Sequence, residues 1–551
     1  MKKSRFLGLL ALLLCLLLLP VFPAAASGAD LEPLEITFFF WGAKPNQMDD
    51  VIAEFERRTE DVLNMKMYMD WAPIADYPNN MRMKLSAGEE VDACFDAQWM
   101  NLNTFIADGI YTDLTPYFHN DAYPALKKAF DISLMSNNQL GTDKNYGIPF
   151  TQAYGVAPLI YLRGDLREKY GIAPINSPEL YREYLQAIVD NEPNMVPYAC
   201  SPNVYWPESI FTNELFRRGI DRLNVGVWTG IVIAPGISAD VYIEDYQIQS
   251  VYISGEPESA YADFPAPYNK RDLTLWEMSN EFYNKGFLDK DVMTVTDPSG
   301  QFMAGKGASL YWDTANFVSL QNGLAASVPE GRIEVYQPNP IYREDLKGMQ
   351  SGNFAAWNFM CIPITTSQAK ADRVMLFYDW MYTSMENHDL FEYGIEGVHF
   401  DAVGEDMFKT PEGVDPSTNY AFPGYQFTWN ANFIRYSADM PDDIRAYNKK
   451  GNDPATYFNP INSGFSFQIG AVENELANPD FATIRAERDN INFGVVNDVA
   501  GAYAALDQKV AGNTALQEDI GIIKAEFIRQ FQIHLDARKI FDQENNIVYP
   551  K

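Results

Sequence analysis

The sequence predicts an α/β protein with a helical C-terminal region, and three observations predict it. Strand and helix signals alternate from about residue 36 to 109. The alternation returns beyond residue 150, and residues 495–540 read as helix alone. Strands alternating with helices imply a parallel sheet covered by the crossover helices, because parallel neighbours cannot be joined by a tight turn.

Ile36 to Trp41 is a short apolar, β-prone run closed by Gly42, as a buried strand requires. Gln47 to Leu63 carries Val51, Ile52, Phe55 and Val62 at helical spacing, with acids in its first turn. Met65 to Trp71 alternates like a strand. Asn79 to Ala87 is helical and stops at Gly88, a C-cap signal. Val91 to Phe95 is predicted as strand, and Leu102 to Asp108 as helix ending at Gly109. After residue 150, Val156 to Tyr161 reads as strand and Asp165 to Tyr170 as a short helix. Ser177-Pro178-Glu179 opens a longer helix, with Ser as N-cap and Pro in the first turn. Val196 to Cys200 and Ala308 to Trp312 read as strands. Asp240 to Ile253 alternates around Tyr246-Gln247 like a hairpin inserted in the α/β pattern. Asp272 to Lys285 and Lys370 to Ser384 are amphipathic helices. Residues 401–465 are rich in Gly, Pro, Asn and aromatics and are predicted as long ordered loop. The final helices split around Gly512-Asn513.

The 551 residues carry 42 Lys+Arg against 74 Asp+Glu, a net charge of −32. That balance excludes a nucleic-acid binder and a basic lipid-docking face, both of which need clustered cations. Lys2, Lys3 and Arg5 precede an apolar run, Phe6 to Leu19, and then Pro20, Pro23 and Ala24-Ala25-Ala26. This is the pattern of a secretory signal over 1–26, and the run falls short of the roughly 20 residues that span a bilayer. Its removal takes three positive charges and no negative one, so the exported chain is more acidic still. Cys15 has Leu14 before it and Leu16 after it, which is not a lipobox, so no lipid anchor is expected. Cys94, Cys200 and Cys361 form neither a disulfide framework nor metal spacing, and each sits in an apolar setting as a buried thiol would.

The sequence carries no G-x-x-x-x-G-K-[ST], G-x-G-x-x-G or H-E-x-x-H motif. Gly464-Phe-Ser466-Phe-Gln468 comes nearest to a nucleophile elbow and lacks the second Gly. With 74 acids, paired carboxylates of a glycan-acting hydrolase stay open as an alternative.

The order of several segments resembles family 1 of the extracellular solute-binding proteins of ABC importers, the maltose-binding-protein-like class. The resemblance rests on Ile36 to Gly42, Lys84 to Asp92 with Asp108 to Pro116, Tyr146 to Phe150, and Phe302 to Lys306 followed by Ala308 to Trp312. Phe391 to Phe400 is similar to a segment of the LplA/YtcQ-like subgroup. Gly464 to Phe467, Val495 to Leu506 and Gln530 to Gln532 resemble its C-terminal DUF3502 region.

The resemblance implies a two-lobed periplasmic-binding-protein-like fold (type II), each lobe a mainly parallel sheet flanked by helices. Lobe 1 would comprise 34–152 plus about 300–356, and lobe 2 would comprise 153–299 plus about 357–430. Residues 431–551 would form the C-terminal region. It also implies a secreted or surface-held monomer, not an enzyme, that captures an oligosaccharide and hands it to membrane permease subunits. No cofactor or metal is expected. A peptide or other-solute binder is the further alternative.

In open α/β sheets ligands sit beyond the carboxyl ends of strands. There the sequence repeatedly places an aromatic beside an amide or carboxylate, which suits a sugar's apolar face and its rim of hydroxyls. The candidates are Trp41 and Lys44, Asp96, Gln98 and Trp99, Tyr154, Tyr205 and Trp206, Trp312 and Asp313, Trp357, and Glu396. The competing reading of each is core, hinge or capping residue.

Overall fold

The computed structural model describes residues 31–130, 135–202, 210–344, 346–352 and 354–549. The 1–26 signal segment with Cys15, and the candidate residues Tyr205 and Trp206, lie outside the described residues. In chain order the first strands are β1 (Leu34–Trp41), β2 (Met65–Ala72), β3 (Ala93–Ala97), β4 (Ile148–Phe150) and β5 (Leu159–Arg163). They continue with β6 (Val227–Ala234), β7 (Ile237–Glu244), β8 (Gln247–Ile253), β9 (Ser309–Trp312), β10 (Ile333–Tyr336), β11 (Gln350–Ser351) and β12 (Asn358–Cys361).

One lobe is built on a five-stranded sheet of order β2-β1-β3-β12-β4. β1 runs parallel to β2 and β3, and β12 runs antiparallel to β3 and β4. Inside a sheet covered on both faces, a strand must be apolar throughout. Accordingly Phe38 meets Phe377 and Phe427 at 5.7 and 5.3 Å, while Phe39 stacks on Tyr77 at 4.6 Å. Helix Tyr77–Ala87 ends where Gly88 turns left-handed at φ 67°.

The second lobe is built on β10-β5-β9, with β5 antiparallel to both neighbours. The mainly parallel sheet expected there is therefore a mixed one. Residues 196–199 extend it through parallel bridges to Gly307 and Leu310. The reason is that the chain enters β5 directly from the first lobe, so no crossover helix fixes its direction. Ser177 caps helix Pro178–Asn191 as expected, accepting from the Leu180 N–H at 3.3 Å.

The expected lobe boundaries need correction. β9 and β10 pair with β5, so residues 309–336 belong to the second sheet and not to lobe 1. β12 joins the first sheet, and Phe377, Phe391 and Phe427 pack in its core, so 358–427 belongs to lobe 1 and not to lobe 2. Strand pairing over such separations leaves no local sequence signal.

The hairpin also lies elsewhere than expected. β6-β7-β8 shares one core with helices Asp480–Asn492, Val499–Gly512 and Thr514–Glu544, through residues such as Val241, Ile253, Ile484, Ile520 and Phe527. The β7–β8 turn puts Asp245 and Tyr246 at φ 45° and 64°, the left-handed pair of a two-residue hairpin turn. Tyr246 is held there by its hydroxyl on Asp542 at 2.8 Å and by Gln532 on its carbonyl at 2.9 Å. The loop predicted over 401–465 includes helix Asp442–Gly451. Cys94, Cys200 and Cys361 are free and buried. No helix among the described residues is long and apolar enough to cross a membrane.

Candidate functional site

Strand direction decides which ends face one another. In the first sheet the carboxyl ends of β1, β3 and β4 and the amino end of β12 lie at one edge, since Asn358 pairs with both Ala97 and Phe150. In the second sheet the start of β5 lies beside the ends of β9 and β10, with Leu159 opposite Trp312 and Tyr336 opposite Ile160. The chain passes from β4 to β5 through 151–158 and from β10 to β12 through 337–357. Both crossings therefore join these two edges, and the space between them is an interlobe cleft.

The first edge is aromatic and partly open to solvent. Trp41 ends β1, with Trp99 edge-on at 6.4 Å and Tyr425 tilted at 5.7 Å. Trp99 is 48% exposed and Trp357 69%, far above what an indole shows in a core. Gln98 knits the edge together: its Nε2 donates to the Ala356 carbonyl at 2.9 Å and its N–H to that of Trp357 at 3.3 Å. The Trp99 indole donates to Asn358 Oδ1 at 3.2 Å.

Hydrogen-bonding capacity is left over at this edge. The Trp41 Nε1, the Thr151 Oγ1 and the Gln426 Oε1 are buried without a partner, although Gln426 is 1% exposed and donates to the Trp41 carbonyl at 3.0 Å. Buried polar groups are nearly always paired. A donor and two acceptors beside exposed indoles suit a ligand that offers an apolar face and hydroxyls.

The remaining candidates divide. Trp312 ends β9 at the facing edge, part-buried beside Leu159 and Met440, and the following Asp313 accepts the Tyr161 hydroxyl on its carbonyl at 2.9 Å. Tyr154 lies in the first crossing. Its N–H donates to Asn452 and its hydroxyl to Asn432, at 2.8 and 3.1 Å. It lines a cavity of ≈ 630 Å³ with Tyr342, Phe354, Tyr457 and Trp228. Lys44 is exposed in the loop after β1 and pairs with Asp49. Glu396 is exposed in a turn tied to that loop by His399, whose Nε2 lies 2.8 Å from Gln47 Oε1.

Asp96 turns away from the edge. It is fully buried and caps the turn after β3, accepting from the Ala97 and Asn101 N–H groups at 2.8 and 3.1 Å and from Tyr111 Oη at 2.6 Å. Its position in the central strand carries the side chain into the core and away from the edge. Burial pushes its carboxyl up to about 6 despite these bonds. The folded state then keeps a proton that the unfolded chain releases. The stability this group adds is complete below about pH 4 and lost as pH rises through about 6. Asp96→Asn is expected to gain on the wild type by about 3 kcal/mol between about pH 4 and pH 7.5. Urea midpoints of both proteins at the two pH values check this, and a constant gap refutes it.

The sequence reading missed Tyr425 and Gln426. They follow Pro423-Gly424 in the aperiodic stretch, where aromatic density was the available signal.

No protein-family model matches the chain. The chain is 22% identical over 497 residues to a carbohydrate ABC transporter substrate-binding protein of Streptococcus pneumoniae serotype 4, covering 88% of this chain and 89% of that protein. The crystal structure of the N-glycan transport solute-binding protein of Streptococcus pneumoniae superposes with a TM-score of 0.60, at 19% identity, over 92% of this chain and 99% of that one. The fold is that of the two-lobed solute-binding proteins. An HMO-binding, ABC-transporter-associated solute-binding protein of Bifidobacterium longum infantis shares it, with a TM-score of 0.55 at 14% identity over 92% and 99% of the two chains. Within this fold, the aromatic edge of lobe 1 and the Trp312 end of β9 are the sheet ends that the two crossings join.

Proposed function

We propose that this chain is the extracytoplasmic solute-binding component of an ABC importer and captures an oligosaccharide between its lobes for delivery to a membrane permease. One observation carries the reading. Exposed indoles and unpaired amide and indole groups gather at the sheet edge that faces the second lobe. An aromatic ring covers a sugar's C–H face, and each buried hydroxyl partner discriminates by about 1–3 kcal/mol when left unpaired.

Capture needs no catalysis. A ligand that touches both walls favours the closed arrangement by its differential affinity, with 151–158 and 337–357 as the flexing segments. The ligand class is supported by the neighbours, one an N-glycan transport protein and another HMO-binding. The finer assignment to the LplA/YtcQ-like subgroup, with residues 431–551 as its DUF3502 region, rests on the segments Phe391–Phe400 and Gly464–Phe467. A secreted monomer follows from the same reading.

Isothermal calorimetry against N-glycan fragments and HMO preparations is expected to give saturable binding for one class. Flat traces across the panel would reject the oligosaccharide reading.

A further inference from the structure

Between β6–β8 and the helices Asp480–Asn492 and Val499–Gly512 lies a second cavity, of ≈ 410 Å³, away from the aromatic edge of lobe 1. Its lining sets five cations against five carboxylates, in a protein of net charge −32. Asp507 is taken by Arg271, bonded through both terminal nitrogens at 2.8 and 2.9 Å. Asp272 is shared: Arg218, which also pairs with Glu214 at 2.6 Å, holds it directly, and Arg222 lies 3.8 Å away. Asp489 is shared as well, 3.6 Å from Arg485 and 3.8 Å from Arg488. Glu256 is held by Lys524 at 2.9 Å. Lys270 has no ion pair among the described residues. Among the described residues, Lys270 and one of the two arginines that share Asp489 are therefore left without a carboxylate of their own.

The cavity is not a bare anion site. Tyr252 and Tyr261 stack at 4.1 Å and 15° along its wall. The hydroxyls of Ser238 and Ser254 line it too, 3.2 Å apart. The remaining acid, Asp240, accepts from the Tyr261 hydroxyl at 2.8 Å and the Gly230 N–H at 2.9 Å. A carboxylate acceptor here repels a compact inorganic anion and favours a ligand that brings hydroxyl donors. The occupant must therefore carry a negative group, an apolar ring face and several hydroxyls together.

We infer that this cavity is a second binding site, for a carboxylated sugar residue, with the carboxylate against Arg485, Arg488 and Lys270, the ring against the tyrosine wall, and hydroxyls on Asp240, Ser238 and Ser254. The site does not depend on the cleft reading.

Calorimetry of the intact protein with glucuronate as probe tests it, with glucose and inorganic phosphate as controls. Glucuronate is expected to bind at least about tenfold tighter than either control, the scale of one charge-assisted bond. Arg485→Gln/Arg488→Gln should weaken glucuronate by about tenfold or more. Lys270→Met, at an exposed position, should weaken it in the same direction and serves if the double variant fails to fold. Trp99→Ala/Trp357→Ala should leave it unchanged, which separates this site from the cleft. Absent glucuronate binding, equal binding of glucose or phosphate, indifference to the arginine and lysine variants, or loss in the cleft variant would each overturn the assignment.

Discussion

Trp99→Ala/Trp357→Ala is expected to weaken oligosaccharide binding by about 100-fold while leaving unfolding midpoints close to wild type. Each exposed indole offers a sugar face worth about 1.5 kcal/mol when covered, and the two act side by side at one edge. Their exposures of 48% and 69% mean that little core packing is lost on truncation. Gln426→Met sharpens the test: it removes an unpaired acceptor beside Trp41 together with the amide's bond to the Trp41 carbonyl, so an affinity loss that exceeds the stability loss would place ligand at that amide. Calorimetry and urea melts on the same preparations separate the two effects. A double variant that binds normally would remove the edge from the site.

Gly155→Ala is expected to destabilise the crossing between lobes by about 1–3 kcal/mol and to weaken ligand binding with it. A β-carbon at Gly155 would lie 1.9 Å from the Tyr457 hydroxyl and 2.3 Å from its ring. The ring has little room to retreat. Its hydroxyl donates to the Gly451 carbonyl at 2.6 Å, and Tyr457–Phe458 pairs with β11. Both the 151–158 and 337–357 crossings are thus fastened to one tyrosine, and the substitution pushes them apart. In a double-mutant cycle with Tyr457→Ala the two losses should fall short of additivity by at least about 1 kcal/mol, because removing the ring relieves the overlap. Additive losses would mean that the clash is absorbed elsewhere.

Much of the first lobe was legible because its signals are local. Ile36 to Trp41 is apolar at almost every position, as a strand covered on both faces must be, and it folds as the central parallel strand. The caps at Gly88 and Ser177 were legible for the same reason: a left-handed turn and an orphan N–H each select a residue type at one position. The segment from 300 to 430 was not legible. A buried strand such as Asn358–Cys361 has the same composition in either lobe, and only its pairing with Ala97 and Phe150 fixes where it goes. The hairpin was recognised as an insertion, yet nothing local tells that Val241 and Ile253 pack on Ile520 and Phe527.

The site divides along the same line. The sequence by itself determined the aromatic residues at strand ends, the absence of nucleotide and zinc-protease motifs, and an acidity that excludes nucleic acid. Tertiary structure alone decided that Asp96 turns inward while Trp99, three residues later, stays in solvent. It alone brought Tyr425 and Gln426 beside Trp41 and gathered arginines from the 212–224 and 480–492 helices around one cavity. The physical reason is that composition and periodicity report what one segment must bury or expose. Which charges, rings and unpaired amides end up within a few ångströms depends on chain crossings that carry no local energy signature.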